Sequence, residues 1–178
     1  MRWLRFIILV LIATVLQKGM LARWDYKPDL LLILLVFFAV YNPTWEAIIS
    51  SFAIGFAADL VGSPLPMGPH MISFGLFGTL LAYVHRVVAI RRIIYQALAI
   101  LVTGFLTGIL THLLAYLFKS EPMPEKVLVA VLVTSLFSSV VGPFLFPPVA
   151  WCAGMDMNRF RLRGSRSYGQ GFHRRSGR

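Results

Sequence analysis

The sequence predicts an all-α integral membrane protein, a bundle of about six transmembrane helices, from three observations. Apolar residues make up 58% of the chain, compared with roughly 45–50% in soluble globular proteins. Charged residues make up 13%, about half of the usual ~25%. Apolar runs also follow one another along residues 1–157 with short polar breaks between them, which is the pattern of transmembrane helices. We therefore expect one membrane domain over residues 1–157.

Six apolar segments define the expected helices, at residues 3–16, 30–41, 45–61, 71–88, 94–118 and 127–153. The last three are long enough to cross a hydrocarbon core about 30 Å thick. The second is short, because its 12 residues span only ~18 Å as a helix. Segments 2 and 3 are therefore either a tilted helical hairpin or a re-entrant pair, and we favour two helices. Asn42 can cap the third helix, with Pro43 at its first position.

Segment 1 has a basic start and an apolar stretch, as a signal peptide does. No small-x-small cleavage pattern follows it, so we expect a retained membrane anchor. Basic residues near the segment ends predict that both termini lie in the cytoplasm. In that orientation twelve Lys and Arg residues lie on the cytoplasmic side and five lie outside.

Residues 158–178 form an Arg/Gly/Ser-rich tail that contains seven arginines and no acidic residue. Such a composition cannot bury a core, so we expect a disordered cytoplasmic tail. Its arginines, among them Arg159, Arg161, Arg163 and Arg166, are expected to contact anionic lipid at the membrane surface. Docking on an acidic cytoplasmic protein is the alternative, and we expect no nucleic-acid binding.

Asp59 is the most informative ionisable residue, because it ends segment 3 just before a loop rich in glycine and proline. A carboxylate near the centre of a membrane helix costs at least ~2.5 kcal/mol. One isolated carboxylate does not make an aspartyl-protease pair, and the serine-hydrolase, zinc-protease and phosphate-loop motifs are absent from the sequence. We therefore expect no catalytic residue. Asp59 is interpreted as a joint between helices, with partner contact or a ligand or proton site as alternatives.

Other polar candidates have structural interpretations. Glu46 lies in the first turn of segment 3, where a carboxylate favours the helix dipole. His112 in segment 5 is expected to hydrogen-bond to a neighbouring helix, since no second His or Cys lies at ligand spacing. We expect no metal site and no cofactor. Asp156 is expected at the interface, and the single cysteine, Cys152, excludes an internal disulfide.

Pairs of small residues four positions apart predict close contacts between membrane helices. These pairs are Ser51/Gly55 and Ala53/Ala57 in segment 3, Gly104/Gly108 in segment 5 and Ser135/Ser139 in segment 6. We interpret Ser51, Gly104 and Gly108 as packing residues within the monomer. A face for another membrane protein is the alternative.

Two short motifs and the order of the apolar segments point to a known family. Segment 2 opens with Lys27-Pro28-Asp29, and segment 3 ends in Gly55-Phe-Ala-Ala-Asp59 with a short loop to Gly68. The first motif is similar to the basic-Pro-Asp/Asn start, and the second to the G-x-x-x-D…G core, of the bacterial rod-shape-determining protein family MreD. The resemblance covers about residues 1–157. The loop prolines and the arginine tail depart from the family pattern.

This resemblance implies a non-enzymatic scaffold in the bacterial cytoplasmic (inner) membrane. The family associates with the single-span protein MreC and, through that assembly, with MreB filaments and the peptidoglycan synthases of cell elongation. The motif residues Pro28, Asp29, Gly55, Asp59 and Gly68 would then be structural or partner-binding. The joint between segments 3 and 4 would lie on the periplasmic side.

The alternative function is that of a substrate-binding membrane subunit of an energy-coupling-factor vitamin transporter, which also resembles this arrangement of six segments. Those subunits usually carry an alanine-rich A-x-x-x-A face in the first helix, whereas segment 1 contains only Ala13. No external loop gathers the polar residues of a vitamin pocket. The scaffold is therefore the favoured interpretation.

Overall fold

The computed structural model describes residues 2–19, 28–61, 68–87, 93–119 and 127–154, which form six α-helices and no strand. The helices are α1 (Arg2–Gly19), α2 (Leu30–Tyr41), α3 (Thr44–Val61), α4 (Pro69–Val87), α5 (Ile93–Lys119) and α6 (Val127–Ala153). Each helix ends within three residues of its predicted segment, so the all-helical prediction is confirmed for the described residues. Asp156 and the four tail arginines named above lie outside them.

Two of the described helices are long and apolar enough to cross a membrane, over Ile93–Phe118 and Val127–Ala153. Leu30–Tyr41 is apolar but shorter than a span. The length and composition of the helices thus identify two candidate spans, and the crossing of all six remains a prediction.

The short helix α2 lies at the centre of the bundle and contacts each of the other five helices. Ten consecutive residues, from Leu31 to Val40, are each no more than 5% exposed. A helix that is buried on all sides needs no polar face. This burial explains the unbroken run of Leu, Ile, Val and Phe in α2.

Both ends of α2 find hydrogen-bond partners within the chain. Asp29 is the N-cap, and its Oδ1 accepts from the backbone N–H groups of Leu31 and Leu32 at 3.0 and 3.1 Å. At the other end, Asn42 donates its backbone N–H to the Phe38 carbonyl at 3.1 Å. The structure differs here from the sequence expectation, because Asn42 ends α2 and Pro43 occupies the position before α3.

Aromatic rings join α2 to its neighbours. Phe37 is fully buried, and its ring lies 5.3 Å from that of Phe38 and 5.5 Å from that of Phe146 in α6. Phe38 in turn makes an edge contact with Phe6 of α1, at 4.9 Å between ring centroids. Such edge-to-face pairs add to the energy of burial, so they hold three helices together at the centre.

The outward faces of the surrounding helices are apolar, whereas small polar side chains lie inside. Leu4 is 63% exposed and Phe144 is 76% exposed. The buried hydroxyls of Ser51 and Thr107 instead donate to carbonyls one turn earlier in their own helices, at 2.7 Å each. An apolar exterior with internally satisfied polar groups is what a lipid environment requires.

The central position of Phe37 generates a stability prediction. Phe37→Ala removes a fully buried ring and leaves a cavity, which in soluble proteins costs about 3–5 kcal/mol. Phe144→Ala is the matched control, because the Phe144 ring points away from the bundle. We expect a large drop in the thermal unfolding midpoint in mild detergent for Phe37→Ala and little change for Phe144→Ala. Equal midpoints for the two variants would contradict the central placement of α2.

Candidate functional site

The α3–α4 joint, formed by Gly55, Asp59, Gly68, His70 and Met71, is held by four hydrogen bonds to one carboxylate. Gly55 and Asp59 lie one turn apart in α3 and therefore share a face of that helix. Gly68 lies just before α4, and His70 and Met71 belong to its first turn. The joint thus connects the end of one helix to the first turn of the next.

The carboxylate of Asp59 accepts three backbone hydrogen bonds from the start of α4. Its Oδ2 accepts from the N–H groups of Gly68 and Met71, at 3.0 and 2.9 Å. Its Oδ1 accepts from the N–H of His70 at 3.0 Å. The first N–H groups of a helix have no acceptor within that helix. Since Pro69 has no N–H, Asp59 satisfies every backbone donor from residue 68 to residue 71.

The side chain of His70 completes the set of donors. Its Nδ1 lies 3.0 Å from Oδ1 of Asp59, and the two form the ion pair of the joint when the imidazole is protonated. The Asp59 side chain is only 4% exposed, whereas that of His70 is 38% exposed. A buried carboxylate needs such donors, and its position at a helix N-terminus also favours its charge.

Gly55 lets α3 and α4 approach closely enough for these bonds to form. A Cβ atom at this position would lie 2.7 Å from Cα of Met71 and 2.8 Å from the carbonyl oxygen of His70. Both contacts are with backbone, which cannot move aside cheaply. Gly55 is therefore required by the distance between the two helices.

Gly68 is required by its backbone conformation. Its φ is +136°, a region that residues with a side chain rarely adopt. A Cβ atom there would meet nothing within 4 Å, so the constraint is conformational and not steric. The turn into α4 thus depends on Gly68 for its backbone conformation, and the close approach of α3 and α4 depends on Gly55.

Asp29 holds the start of α2 in a similar way. Besides capping α2, its Oδ1 accepts from Nε2 of Gln17 in α1 at 3.1 Å. Its backbone N–H donates to Oγ of Ser138 in α6 at 2.8 Å. Pro28, the preceding motif residue, is buried. The Pro28-Asp29 motif therefore ties α1, α2 and α6 together.

Asp29 and His70 both line a cavity of about 190 Å³, so the two motifs lie at the same end of the bundle, which we call the acidic end. The contact between Asp29 and Ser138 explains the cavity. Ser138 lies eleven residues into α6, roughly 16 Å along the helix at 1.5 Å per residue. The helices α5 and α6 therefore continue past the start of α2 and leave a space that α2 does not fill.

The three predicted packing residues lie at contacts between helices of this chain. Ser51 is fully buried, and its hydroxyl occupies the space that a Cβ at Gly78 of α4 would need. A Cβ at Gly104 would lie 2.6 Å from Leu32 of α2, and one at Gly108 would clash with Val131 of α6. At each of these positions another helix of the chain passes close by, and packing within the monomer stays a prediction.

Some polar partners were missed by sequence reasoning. His70 was not identified as a partner of Asp59, although it directly follows the Gly68-Pro69 turn. His112 is exposed, and its Nδ1 lies 2.8 Å from the carbonyl of Gly108 in its own helix, not in a neighbouring one. Glu46 lies in the first turn of α3, as expected. No group of three or more His, Cys, Asp or Glu residues that could hold a metal ion occurs among the described residues.

The close approach at Gly55 generates a second prediction. Gly55→Ala places a methyl group against the backbone of α4 and is expected to destabilise the fold by about 1–3 kcal/mol, the usual cost of overpacking. Gly19→Ala is the control, because a Cβ there meets nothing within 4 Å. Chemical or thermal unfolding in detergent would measure both. A Gly55→Ala protein as stable as Gly19→Ala would show that the joint is looser than described.

Comparison with known proteins identifies the family. The family model described as rod shape-determining protein MreD matches residues 1–152, which include both motifs and the α3–α4 joint. No curated protein and no solved structure gives a significant match. The match confirms the resemblance indicated by the two motifs. The chain belongs to the MreD family of bacterial rod shape-determining membrane proteins.

Proposed function

We propose that this protein is a non-enzymatic membrane scaffold of the bacterial cell-elongation machinery. The observation that carries the proposal is the family match over residues 1–152, because it includes the joint and the cap of α2. The joint supports a scaffold by its chemistry. Its carboxylate accepts four hydrogen bonds within the chain, so it fixes the geometry of two helices instead of presenting a reactive group.

The partner in this proposal is an MreC-type single-span membrane protein that docks at the acidic end. Through this partner the scaffold would link MreB filaments to the peptidoglycan synthases. The aspartate caps Asp29 and Asp59 hold the starts of α2 and α4 at this end, and Gly55 allows the close approach of α3 to α4. A surface built on such fixed helix ends is preorganised, which lowers the cost of ordering on binding.

The proposed topology has six membrane segments with both termini in the cytoplasm. The helices α1, α3 and α4 contain 18, 18 and 19 residues, which reach roughly 27–29 Å. The shorter α2 is covered by the other helices, so its ends need not reach the membrane surface. In this orientation the acidic end faces the periplasm, on the side where the membrane-proximal region of a partner could dock.

The arginine tail is proposed to rest on anionic lipid of the inner membrane. Residues 159–178 contain seven arginines and no acidic residue that could pair with them. Basic residues near an anionic membrane surface each contribute about 1 kcal/mol. The tail would thereby add a cytoplasmic membrane contact to the scaffold.

A co-purification experiment tests the scaffold proposal. Asp59→Ala removes the cap of α4, and the loss of a cap costs about 1–2 kcal/mol. We expect the variant to recover less of the single-span partner from mild-detergent membranes, normalised to the amount of tagged protein. Proteins that co-purify would be identified by mass spectrometry.

Glu46→Ala is the matched control, because Glu46 is a carboxylate at the other end of α3 and should leave partner recovery unchanged. Asp59→Asn keeps one acceptor oxygen and should lie between the wild type and Asp59→Ala. Normal protein level together with normal partner recovery for Asp59→Ala would reject docking at the joint. Failure of the wild-type protein to recover any elongation protein would reject the scaffold itself.

Binding of a peptide with the sequence of residues 158–178 to lipid vesicles tests the lipid contact. Replacing Arg159, Arg161, Arg163 and Arg166 by serine should weaken binding to vesicles with anionic lipid by roughly two to three orders of magnitude, at about 1 kcal/mol per arginine. Raised salt should weaken binding of the unchanged peptide, since screening shortens the reach of its charges. Equal binding to neutral and anionic vesicles would contradict the proposal.

A further inference from the structure

The cavity at the acidic end contains a hydrogen-bonding group that the described chain does not use. Thr111 of α5 lines the cavity and is 6% exposed. Its Oγ1 is buried and has no hydrogen-bond partner among the described residues. Buried side-chain hydroxyls in folded proteins are nearly always hydrogen-bonded to protein or to an ordered molecule. The Thr111 hydroxyl is therefore an unpaired polar group on a residue that lines the cavity.

The two histidines on the cavity wall, His70 and His112, both use Nδ1 within the protein. Nδ1 of His70 faces the Asp59 carboxylate, and Nδ1 of His112 faces the carbonyl of Gly108. A carbonyl and a carboxylate only accept hydrogen bonds, so each Nδ1 carries the hydrogen. In the neutral imidazole this leaves Nε2 as an acceptor. Both rings are thus suited to a ligand that donates O–H groups.

The remaining polar wall disfavours an anionic ligand. Asp29, Thr107 and Ser135 line the same cavity. Thr107 already donates its hydrogen to carbonyls of its own helix, so its oxygen is left to accept. No lysine or arginine is among the described lining residues, and an anion would be repelled by Asp29. The cavity wall thus offers several hydrogen-bond acceptors and the unpaired Thr111 hydroxyl. These groups match a ligand with alcohol groups, which both donate and accept hydrogen bonds.

The apolar part of the wall and the volume limit the shape of the ligand. Leu32, Phe74 and Val131 contribute apolar surface to the cavity. At about 190 Å³, the cavity is smaller than the ~300–1,000 Å³ of sites for drug-sized molecules. One small ring with a polar edge and a C–H face fits this combination of size and chemistry.

We propose that this cavity binds an uncharged hydroxylated ring of the sugar type, either as a free molecule or as the headgroup of a glycolipid. The Thr111 hydroxyl and the Nε2 atoms of His70 and His112 hydrogen-bond to its hydroxyl groups, and Phe74 contacts its apolar face. This site adjoins the α3–α4 joint and shares His70 with it.

The test uses the full-length chain in lipid nanodiscs that contain no glycolipid. Glucose, N-acetylglucosamine and myo-inositol are titrated separately, with saturation-transfer NMR as the measure of binding and inorganic phosphate as the charged comparison. In a second arm, monoglucosyl diacylglycerol is included in the nanodiscs, and retained lipid is measured by native mass spectrometry. A ring bound in the first arm identifies a free ligand, whereas retention only in the second arm identifies a lipid headgroup.

Three variants separate the cavity from general effects on the fold. Thr111→Val removes only the unpartnered hydroxyl and should weaken binding by about three- to tenfold, the usual loss for one neutral hydrogen bond. Ala130→Leu places a larger side chain on the cavity wall and should abolish binding. Thr14→Val is the control, because the Thr14 hydroxyl donates to the Val10 carbonyl in α1, and its binding should equal that of the wild type.

The proposal would be supported by saturable binding of at least one ring or of the glycolipid. This binding should be weakened by Thr111→Val, abolished by Ala130→Leu and unchanged by Thr14→Val. The absence of saturable binding for every probe would overturn the proposal. Binding that is equal in the wild type and Thr111→Val, or stronger for phosphate than for any ring, would also overturn it. None of these results depends on recovery of a partner protein, so the scaffold proposal can fail while this one stands.

Discussion

The bond between the Asp59 carboxylate and the first turn of α4 is the contact on which the acidic end depends. In apolar surroundings the unpaired N–H groups at a helix start are costly, and one carboxylate here accepts from all three between residues 68 and 71. Pro69 removes a fourth donor, Gly55 provides the close approach and Gly68 provides the turn. Asp59 makes this electrostatic contact, and Pro69, Gly55 and Gly68 allow it to form. The contact fixes where α4 begins relative to α3.

The second constraint is the length of α2. Its 12 residues fill the centre of the bundle, but they start at the level of Ser138, well inside α6. Asp29 caps the start of α2, as Asp59 caps the start of α4. The space above Asp29 then becomes the polar cavity between α4, α5 and α6. The short length that makes α2 a poor membrane span therefore also leaves room for a small molecule at the acidic end.

Sequence reasoning could locate the helices and the joint, because both depend on local signals. The lengths of apolar runs mark helix ends, and the glycines and prolines around Asp59 mark a turn. It could not place α2 at the centre, since hydrophobicity identifies segments but not their neighbours. The unbroken apolar run of α2 was the available signal, because a helix without a polar face is a buried helix. His70, Ser138 and the cavity depend on contacts between helices distant in sequence, which no local pattern encodes.

The central position of α2 also has a consequence for the order of assembly. At ~18 Å it is too short to be stable alone across a hydrocarbon core of about 30 Å, and Asp29 would then lie in lipid. In the bundle α2 is covered partly by α5 and α6, which are synthesised after it. Until α5 and α6 have been synthesised, α2 therefore lacks part of the packing that covers it in the finished bundle.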